Sequence, residues 1–349
     1  MTNELDRELC RPRAGMKFNV NGEEYSIEGE LGTGAVGIVR KATKIKTDSK
    51  FAVKFLAPDP KYIDESVFED VSVRFKREGE KGAKLSHENL LKIYAYCENT
   101  EGIQFESNYP TNPFLLMERI NGKTLDSYVK KKLSRDKGKF IISREKLHIA
   151  AQVTSAISEL HRMKLIHRDV KPANIFISAN TNTDLYPLVK LGDFGIVKWG
   201  DFHASLSTGI LTATNQQGLG TMKYMSPEQA ISPKTITVRS DIFSLGITLF
   251  ELFTGQILAS PYHVFELIKA RQLRGTTVSR YISMGYQLQQ EDEKIAELLL
   301  DMHRNVSGRP SIEKVKGILE HAYEERYGNS WEKDTNWNNE SRFEDSWDE

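Results

Sequence analysis

The chain has 349 residues, 39% of them hydrophobic and 28% charged, which is the composition of an ordinary soluble globular protein. Lys plus Arg and Asp plus Glu both number 48, so the overall charge favours neither nucleic acid nor an anionic membrane as a partner. No apolar run approaches the roughly 18 residues that a membrane span needs, and residues 1–13 lack the apolar core of a signal peptide. Two cysteines far apart in sequence, Cys10 and Cys97, argue against a disulfide framework and predict a cytoplasmic protein.

The hydrophobic pattern of the chain changes once along its length. Residues 1–21 are polar and weakly periodic, and we expect an N-terminal extension there. Short apolar runs then predict strands at residues 25–27, 38–39, 51–55, 90–96 and 114–117. Beyond Thr124 the apolar residues recur at spacings of three and four, which predicts helices.

Three glycines lie between the first predicted strands, in the run Gly32-Thr33-Gly34-Ala35-Val36-Gly37. Because glycine has no Cβ, backbone amides in such a run can approach phosphate groups closely. The alternative is a hairpin turn that uses the glycines at positive φ. A strand on each side argues against a dinucleotide site of the Rossmann type, in which a helix follows the glycines.

Most of the chemically useful side chains lie in one run, His167-Arg168-Asp169-Val170-Lys171-Pro172-Ala173-Asn174, and at Asp193. Asp169 can act as a base, and Lys171 can neutralise negative charge. Asn174 and Asp193 offer the hard oxygen ligands that suit Mg²⁺. Phosphoryl transfer needs this combination, because its transition state spreads charge over the phosphoryl oxygens. Taken singly, each of these residues is more often a turn or cap residue.

This run and Asp193-Phe194-Gly195 match the H-R-D-x-x-x-x-N and D-F-G motifs of protein kinases, and Val39 completes G-x-G-x-x-G-x-V. The chain therefore resembles the eukaryotic-type (Hanks-type) Ser/Thr protein kinases over residues 22–322. The resemblance implies a two-lobe α+β fold, with ATP between the lobes. A small antiparallel β-sheet lobe with one helix would span 22–117, a hinge 118–122, and a larger, mainly helical lobe 123–322. Residues 323–349 would form an acidic tail that contains tryptophans, either docked or free.

The resemblance also implies a role for each residue of the site. Asp169 would accept the proton of the substrate hydroxyl, and Lys171 would neutralise the γ-phosphate. Asn174 and Asp193 would bind Mg²⁺, with Mn²⁺ as an alternative ion. The other residues implied in ATP binding belong to the glycine loop, the adenine pocket and the hinge: Gly32, Gly34, Gly37, Val39, Ala52, Phe176, Met117, Glu118 and Ile120.

Lys54, in the apolar run Ala52-Val53-Lys54, is either a solvated edge charge or the lysine that bridges the ATP phosphates and a helix glutamate. The resemblance implies the second role, with Glu78 as partner and Glu80 as the fallback. The presumed helix contains Gly79 and Gly82, and each glycine costs ~1 kcal/mol relative to alanine. We therefore expect a loosely held helix, in which the Lys54–Glu78 pair forms only when another contact steadies it.

Beyond the site, the resemblance implies two structural contacts and one modification. Asp241 would tether the backbone of the catalytic loop, and Arg309 would pair with Glu228. The segment between Asp193 and Glu228 is rich in hydroxyl groups, and Arg168 implies a basic pocket for a phosphorylated residue. We predict autophosphorylation, with self-association for transfer in trans, at Thr212 or Thr214, and Thr208 as runner-up.

The predicted activity is transfer of the ATP γ-phosphoryl group to Ser or Thr hydroxyls of proteins. Lysine two residues after the catalytic aspartate is the form seen in Ser/Thr-specific kinases. Two alternatives stay open: a small-molecule phosphotransferase of related fold, and a pseudokinase that acts as a scaffold. Residues 221–228 resemble a substrate-docking loop, which argues against the first alternative. The complete set of chemical groups argues against the second.

Overall fold

The computed structural model describes residues 12–34, 37–57, 65–98, 113–132, 141–178, 187–193, 223–231, 235–256 and 293–328. Their contacts divide the chain into two compact units. The first unit holds the described residues of 12–87 and of 91–119, and the second holds residues 88–90 and the described residues of 120–193 and 223–328. The chain passes from one unit to the other between Arg119 and Ile120, inside the expected hinge. The domain bounds given above stay a prediction.

The first unit is built on a six-stranded antiparallel sheet with the strand order β1-β2-β3-β4-β6-β5. The strands are β1 (Lys17–Val20), β2 (Glu23–Thr33), β3 (Gly37–Lys44), β4 (Ser49–Leu56), β5 (Ile93–Cys97) and β6 (Phe114–Glu118). One helix, α1 (Glu65–Gly82), packs against β5. Side chains alternate between the two faces of a strand, and one face of this sheet carries the apolar core, which comprises Phe18, Val20, Tyr25, Ile27, Ala42, Val53, Phe55, Phe114 and Leu116.

Strand β1 lies within the segment that was expected to be a polar extension. Phe18 is 2% exposed, and its ring stacks on Tyr25 and meets the Phe114 ring edge-on. The β1–β2 turn is Asn21-Gly22, with φ values of 52° and 82°. Asn-Gly with two positive φ angles is the favoured two-residue hairpin turn, because its twist matches that of the strands. Residues 17–20 are thus an integral part of the sheet.

The second unit is mainly helical. Its helices are α2 (Leu125–Lys132), α3 (Arg144–Arg162), α4 (Pro227–Ile231), α5 (Val238–Thr254), α6 (Glu293–Met302) and α7 (Ile312–Tyr327). A three-stranded antiparallel sheet joins β7 (Gly122–Thr124), β8 (Ile175–Ser178) and β9 (Val189–Leu191). Helix α5 begins with a capping box at Thr237 and ends at Gly255 in the left-handed conformation.

These two units confirm the predicted α+β class, with a small antiparallel sheet and one helix in the first unit and helices dominating the second. The stripe of α3 predicted to be core is buried, as at Leu147, Ala150 and Ile157. Helix α7 extends to Tyr327, past the predicted domain end at residue 322. No helix within the described residues is both long and apolar enough to span a membrane.

Candidate active site

Asp169 is the central carboxylate of the candidate site, and it is 5% exposed. Asn174 donates from Nδ2 to the Asp169 backbone oxygen at 2.8 Å and to its Oδ2 at 2.7 Å. Lys171 Nζ lies 3.1 Å from the same Oδ2. Asn174 ends a short 3-10 helix (Pro172–Asn174), whose first residue is a proline, the position where a helix uses no N–H. Three of the predicted site residues are therefore in direct contact.

Asp241 of α5 holds the backbone that leads into Asp169, and it is fully buried. Its Oδ1 accepts the Arg168 N–H at 2.8 Å, and its Oδ2 accepts the His167 N–H at 2.8 Å. His161 Nε2 lies 2.8 Å from the same Oδ2. Arg168 has φ 68°, a left-handed conformation that is uncommon outside glycine. These bonds confirm the predicted tether and stabilise the strained residue next to the base.

His167 is a structural residue of the loop. It is 1% exposed, and its Nδ1 accepts the Asp169 N–H at 3.3 Å. Its Nε2 therefore carries the proton and donates to the Gly192 carbonyl oxygen at 3.1 Å. Burial lowers the pKa of His167, although the Asp241 carboxylate acts in the opposite direction. A neutral imidazole thus joins the base to the residue before Asp193.

Asp193 follows β9 and is exposed. The preceding Gly192 donates its N–H to the backbone carbonyl oxygen of Asn174 at 2.9 Å, which keeps the ends of the two segments together. Asn174 uses its amide nitrogen for Asp169, so its metal-binding atom is the amide oxygen. This oxygen and the Asp193 carboxylate fit Mg²⁺, which proteins usually bind through one or two oxygens and several waters. The described residues contain no cluster of three or more His, Cys, Asp or Glu side chains suited to a metal ion.

Lys54 and Glu78 form an ion pair within the first unit. Lys54 Nζ lies 3.3 Å from Glu78 Oε1, and the side chains are 14% and 3% exposed. Glu80, the fallback partner, is exposed. Helix α1 ends at Gly82, so only Gly79 lies in its interior. The formed, buried pair contradicts the expectation of a loosely held helix, because Gly79 is in close contact with β5 and β6 rather than in open space.

The residues expected around ATP in the first unit share one face of the sheet. Strand pairing sets Val39 opposite Lys54, and Lys54 opposite Leu115. Ala52 lies two residues before Lys54 and pairs with Met117, so these residues belong to the same face. Ala52 and Met117 are buried, and Val39 is half-buried. This face is opposite to the one that carries the apolar core.

The remaining expected adenine contacts are divided between the two units. Glu118 ends β6, where its N–H donates to the Lys92 oxygen at 2.9 Å and its Oε2 accepts the Lys92 N–H at 3.2 Å. Ile120 and Phe176 belong to the second unit, and both are half-buried. Phe176 lies in β8, opposite Thr124 on one side and Lys190 on the other.

The glycine loop is the β2–β3 hairpin. Gly32 pairs with Val39, and the Gly34 N–H donates to the Gly37 oxygen at 2.9 Å. None of Gly32, Gly34 and Gly37 has positive φ, so a turn that needs glycine for that reason is ruled out. A Cβ at Gly37 would collide with the Phe55 carbonyl oxygen, whereas Gly32 has no atom of another segment within 4 Å of such a position. The close approach of β4 explains Gly37, and the other two glycines leave the loop backbone uncovered by side chains.

Glu228 and Arg309 form the predicted buried pair. Arg309 Nη1 and Nη2 lie 2.6 and 3.0 Å from the two carboxylate oxygens, and Ser240 Oγ donates to Oε1 at 2.7 Å. Burial acts to raise the pKa of Glu228, but the Arg309 guanidinium outweighs it and the pKa is lowered. Next to Glu228, Gln229 Nε2 donates to the Arg168 oxygen at 2.6 Å, which ties α4 to the catalytic loop.

Sequence reasoning missed Gln229 and a buried amide pair that supports β9. Asn89 Nδ2 donates to Gln152 Oε1 at 2.9 Å, and the same oxygen accepts the Val189 N–H at 2.8 Å. The backbone carbonyl oxygen of Asn89 accepts the Leu191 N–H at 2.8 Å. The available signal for Gln152 was an amide side chain inside an apolar helix, since a fully buried polar group needs partners. No spacing rule singles out Gln229.

Several predicted residues lie outside the described part of the chain. They are the three phosphorylation candidates, two residues of the D-F-G motif, the first residue of the docking loop, and most of the acidic tail: Thr208, Thr212, Thr214, Phe194, Gly195, Thr221 and residues 329–349.

The fold and the site together define a protein of the protein-kinase class. The protein kinase domain family matches residues 25–323, and the chain belongs to this family. The serine/threonine-protein kinase PrkC of Bacillus subtilis is 34% identical over 233 residues, which are 67% of this chain and 31% of PrkC. PknB of Mycolicibacterium smegmatis is 34% identical over 234 residues, covering 67% of this chain and 33% of PknB.

Among solved structures, the kinase domain of Mycobacterium tuberculosis PknI, in a variant form, has the same fold. It superposes with a TM-score of 0.58 at 18% sequence identity, covering 89% of this chain and 98% of that one. The chain spans about a third of the length of the curated relatives, PrkC and PknB.

Proposed function

We propose that the chain is a Ser/Thr protein kinase that transfers the γ-phosphoryl group of ATP to Ser or Thr hydroxyls of proteins. The observation that carries this proposal is the buried Asp169 carboxylate, in contact with both Lys171 and Asn174. The names of the relatives PrkC and PknB support the Ser/Thr class. Two cysteines far apart in sequence suit a reducing compartment, so we assign the activity to the cytoplasm. The balanced overall charge favours proteins rather than nucleic acid as substrates.

Asp169 is the proposed base. The Asn174 amide fixes its orientation, and the tether at Asp241 fixes the backbone on its N-terminal side. Its carboxylate would accept the proton of the substrate hydroxyl as the hydroxyl oxygen bonds to the γ-phosphorus and the bond from that phosphorus to the ADP oxygen breaks. Lys171, whose Nζ lies 3.1 Å from Oδ2, would neutralise charge that develops on the transferred group.

Asn174 and Asp193 are the proposed ligands of Mg²⁺, or of Mn²⁺ in its place. When bound, the ion would supply charge neutralisation on the phosphate oxygens. Lys54, oriented by Glu78, is proposed to contact the phosphates, and the backbone of Gly32, Gly34 and Gly37 to cover them. Val39, Ala52, Phe176, Met117, Glu118 and Ile120 are the proposed adenine contacts.

We also propose that the chain phosphorylates itself between Asp193 and Glu228, at Thr212 or Thr214, with Thr208 as the next candidate. Transfer in trans would require transient self-association. The pseudokinase hypothesis rested on a weakened α1, and it loses that support because the Lys54–Glu78 pair is formed.

The test compares the wild type with Asp193→Asn, both incubated with Mg-ATP and read by intact mass and peptide mapping. Phosphate on wild type alone, within residues 205–221, is the expected result. Asp48→Asn is a matched control, because its side chain is 82% exposed on a turn and should leave transfer unchanged. Wild type that transfers phosphate to no protein, but turns ATP over with a small metabolite, would overturn the proposal in favour of a small-molecule phosphotransferase. ATP binding without any turnover would favour the scaffold.

A further inference from the structure

Gly79 lies in the interior of α1, directly after the glutamate that pairs with Lys54. A Cβ built on Gly79 would lie 2.5 Å from Leu115 Cδ2 and 2.7 Å from Tyr96 Cβ. Tyr96 and Leu115 are opposite each other on β5 and β6. The helix therefore approaches the sheet so closely at this one turn that only glycine fits.

The same helical face carries two further contacts, one with β5 and one with the residue that follows it. Phe75 is fully buried, and its ring meets the Tyr96 ring at 6.3 Å. Lys76 Nζ lies 2.6 Å from Glu98 Oε1, just beyond β5. Residues 75, 76 and 79 belong to one face of a helix, since side chains three and four positions apart are neighbours. Gly79 is the last of these three residues along the helix, and Glu78 is next to it in the chain.

The geometry points to Gly79 as a positioning residue for the Lys54–Glu78 ion pair. Leu115 can rotate away from an added methyl group, but Tyr96 Cβ belongs to the strand and cannot. Bringing that contact to 3.4 Å requires the helix to move outward by about 0.7 Å. The Lys54–Glu78 distance is already 3.3 Å, so an outward shift of this size would weaken its hydrogen bond and reorient Lys54.

This inference rests on the proposed function, because it assigns Gly79 a role through Lys54 in phosphoryl transfer. Glycine inside a helix is normally a weakness, and alanine should be better by ~1 kcal/mol. At Gly79 the requirement for close approach overrides that preference. The glycine thus lets the helix lie close enough to the sheet for Glu78 to reach Lys54.

The test is Gly79→Ala, compared with Gly317→Ala. Gly317 is an exposed glycine inside helix α7, and a Cβ there would meet nothing within 4 Å. We expect G317A to leave kcat unchanged. A displacement near 1 Å can cost up to about 100-fold in rate, so we expect G79A to lower kcat on the order of 10- to 100-fold with the domain still folded by thermal melting.

A double-mutant cycle with Glu78→Gln separates positioning from a general structural effect. If Gly79 acts through the pair, G79A should add little loss in the E78Q background. Additive losses, full activity of G79A, or an unfolded G79A protein would each overturn the inference. Crystal structures of wild type and G79A, with the Lys54–Glu78 distance as readout, decide the inference even if wild type transfers no phosphate, which would defeat only the proposed function.

Discussion

Asp241→Asn is the sharpest perturbation of the catalytic loop. The fully buried carboxylate accepts the Arg168 N–H on one oxygen and the His167 N–H on the other, and His161 contacts it as well. Asparagine keeps the shape of the side chain but replaces one oxygen by an NH₂ group. Whichever way the amide is turned, a donor then faces a backbone N–H, so one N–H loses its acceptor.

The size of the effect follows from these bonds. A hydrogen bond to a charged group contributes roughly 1.5–3 kcal/mol, and a buried donor left without a partner costs roughly 1–3 kcal/mol. We expect the free energy of unfolding to fall by about 3–4 kcal/mol, which corresponds to a Tm lower by roughly 5 °C for a chain of this length. Arg168 has φ 68°, and such strained residues persist only when their surroundings hold them. Its relaxation would displace Asp169 and reduce kcat, by up to about 100-fold for a 1 Å shift.

Calorimetric melting and the rate of phosphoryl transfer from Mg-ATP measure the two effects separately. Asp48→Asn is again the control, because Asp48 also has a positive φ, 56°, but lies on an exposed turn. It should change the free energy of unfolding by less than roughly 0.5 kcal/mol. A D241N protein with the Tm and kcat of the wild type would refute the reasoning that these two bonds hold the loop in its conformation.

Three other substitutions test the described contacts. Arg309→Met should lower the free energy of unfolding by roughly 3–5 kcal/mol, because Glu228 would keep a buried charge without its partner; denaturant unfolding measures it. Phe18→Ala should cost roughly 3–5 kcal/mol in the same assay, because the ring is fully enclosed in the sheet core. Burial lowers the pKa of His303 to about 4, so stability should fall as the pH drops from about 6.5 to about 4. The free energy of unfolding, obtained from melting curves across that range, should fall by up to about 3 kcal/mol. His303→Gln should remove most of this dependence on pH.

Each of these outcomes has a matched comparison. Lys17→Ala, on the exposed side of β1, should be nearly neutral where Phe18→Ala is not. The pKa of Glu228 is lowered, so its own contribution is present above about pH 4.5 and is lost only below that, which affects only the acid end of the His303 range. An R309M protein as stable as wild type would mean that Glu228 finds another partner. An unchanged pH slope in H303Q would mean that another group accounts for the acid sensitivity.

Much of the site could be predicted from the sequence because its residues are close together along the chain. Asp169, Lys171 and Asn174 lie within one loop, so the motif spacing alone brings them into contact. The long-range pairs, such as Arg309 with Glu228, came only from the resemblance to a known family, since nothing in local pattern links residues so distant in sequence. Strand β1 had a readable signal, Asn21-Gly22 between short alternating runs, which the polar composition of the N-terminus obscured.

The misinterpretation of α1 has a physical cause. Helix propensity counts only what a residue does to its own backbone, and on that count Gly79 weakens the helix. The close approach of Tyr96 and Leu115 belongs to the tertiary packing, which helix propensities do not include. Gly37 behaves in the same way against Phe55 in β4. Glycines that look like flexible points in the sequence are, at both positions, the places where two segments pack most closely.

Within the second unit, the backbone of Arg168 is held in place by hydrogen bonds to two helices. Its N–H is bonded to Asp241 of α5, and its carbonyl oxygen to Gln229 of α4. Helix α4 is in turn held to α5, because Glu228 accepts the Ser240 hydroxyl as well as the Arg309 guanidinium. Both backbone groups of one strained residue are therefore satisfied by two helices that are bonded to each other. Since the base follows directly, its position depends on these buried contacts, which explains why residues that never touch a substrate should control the rate.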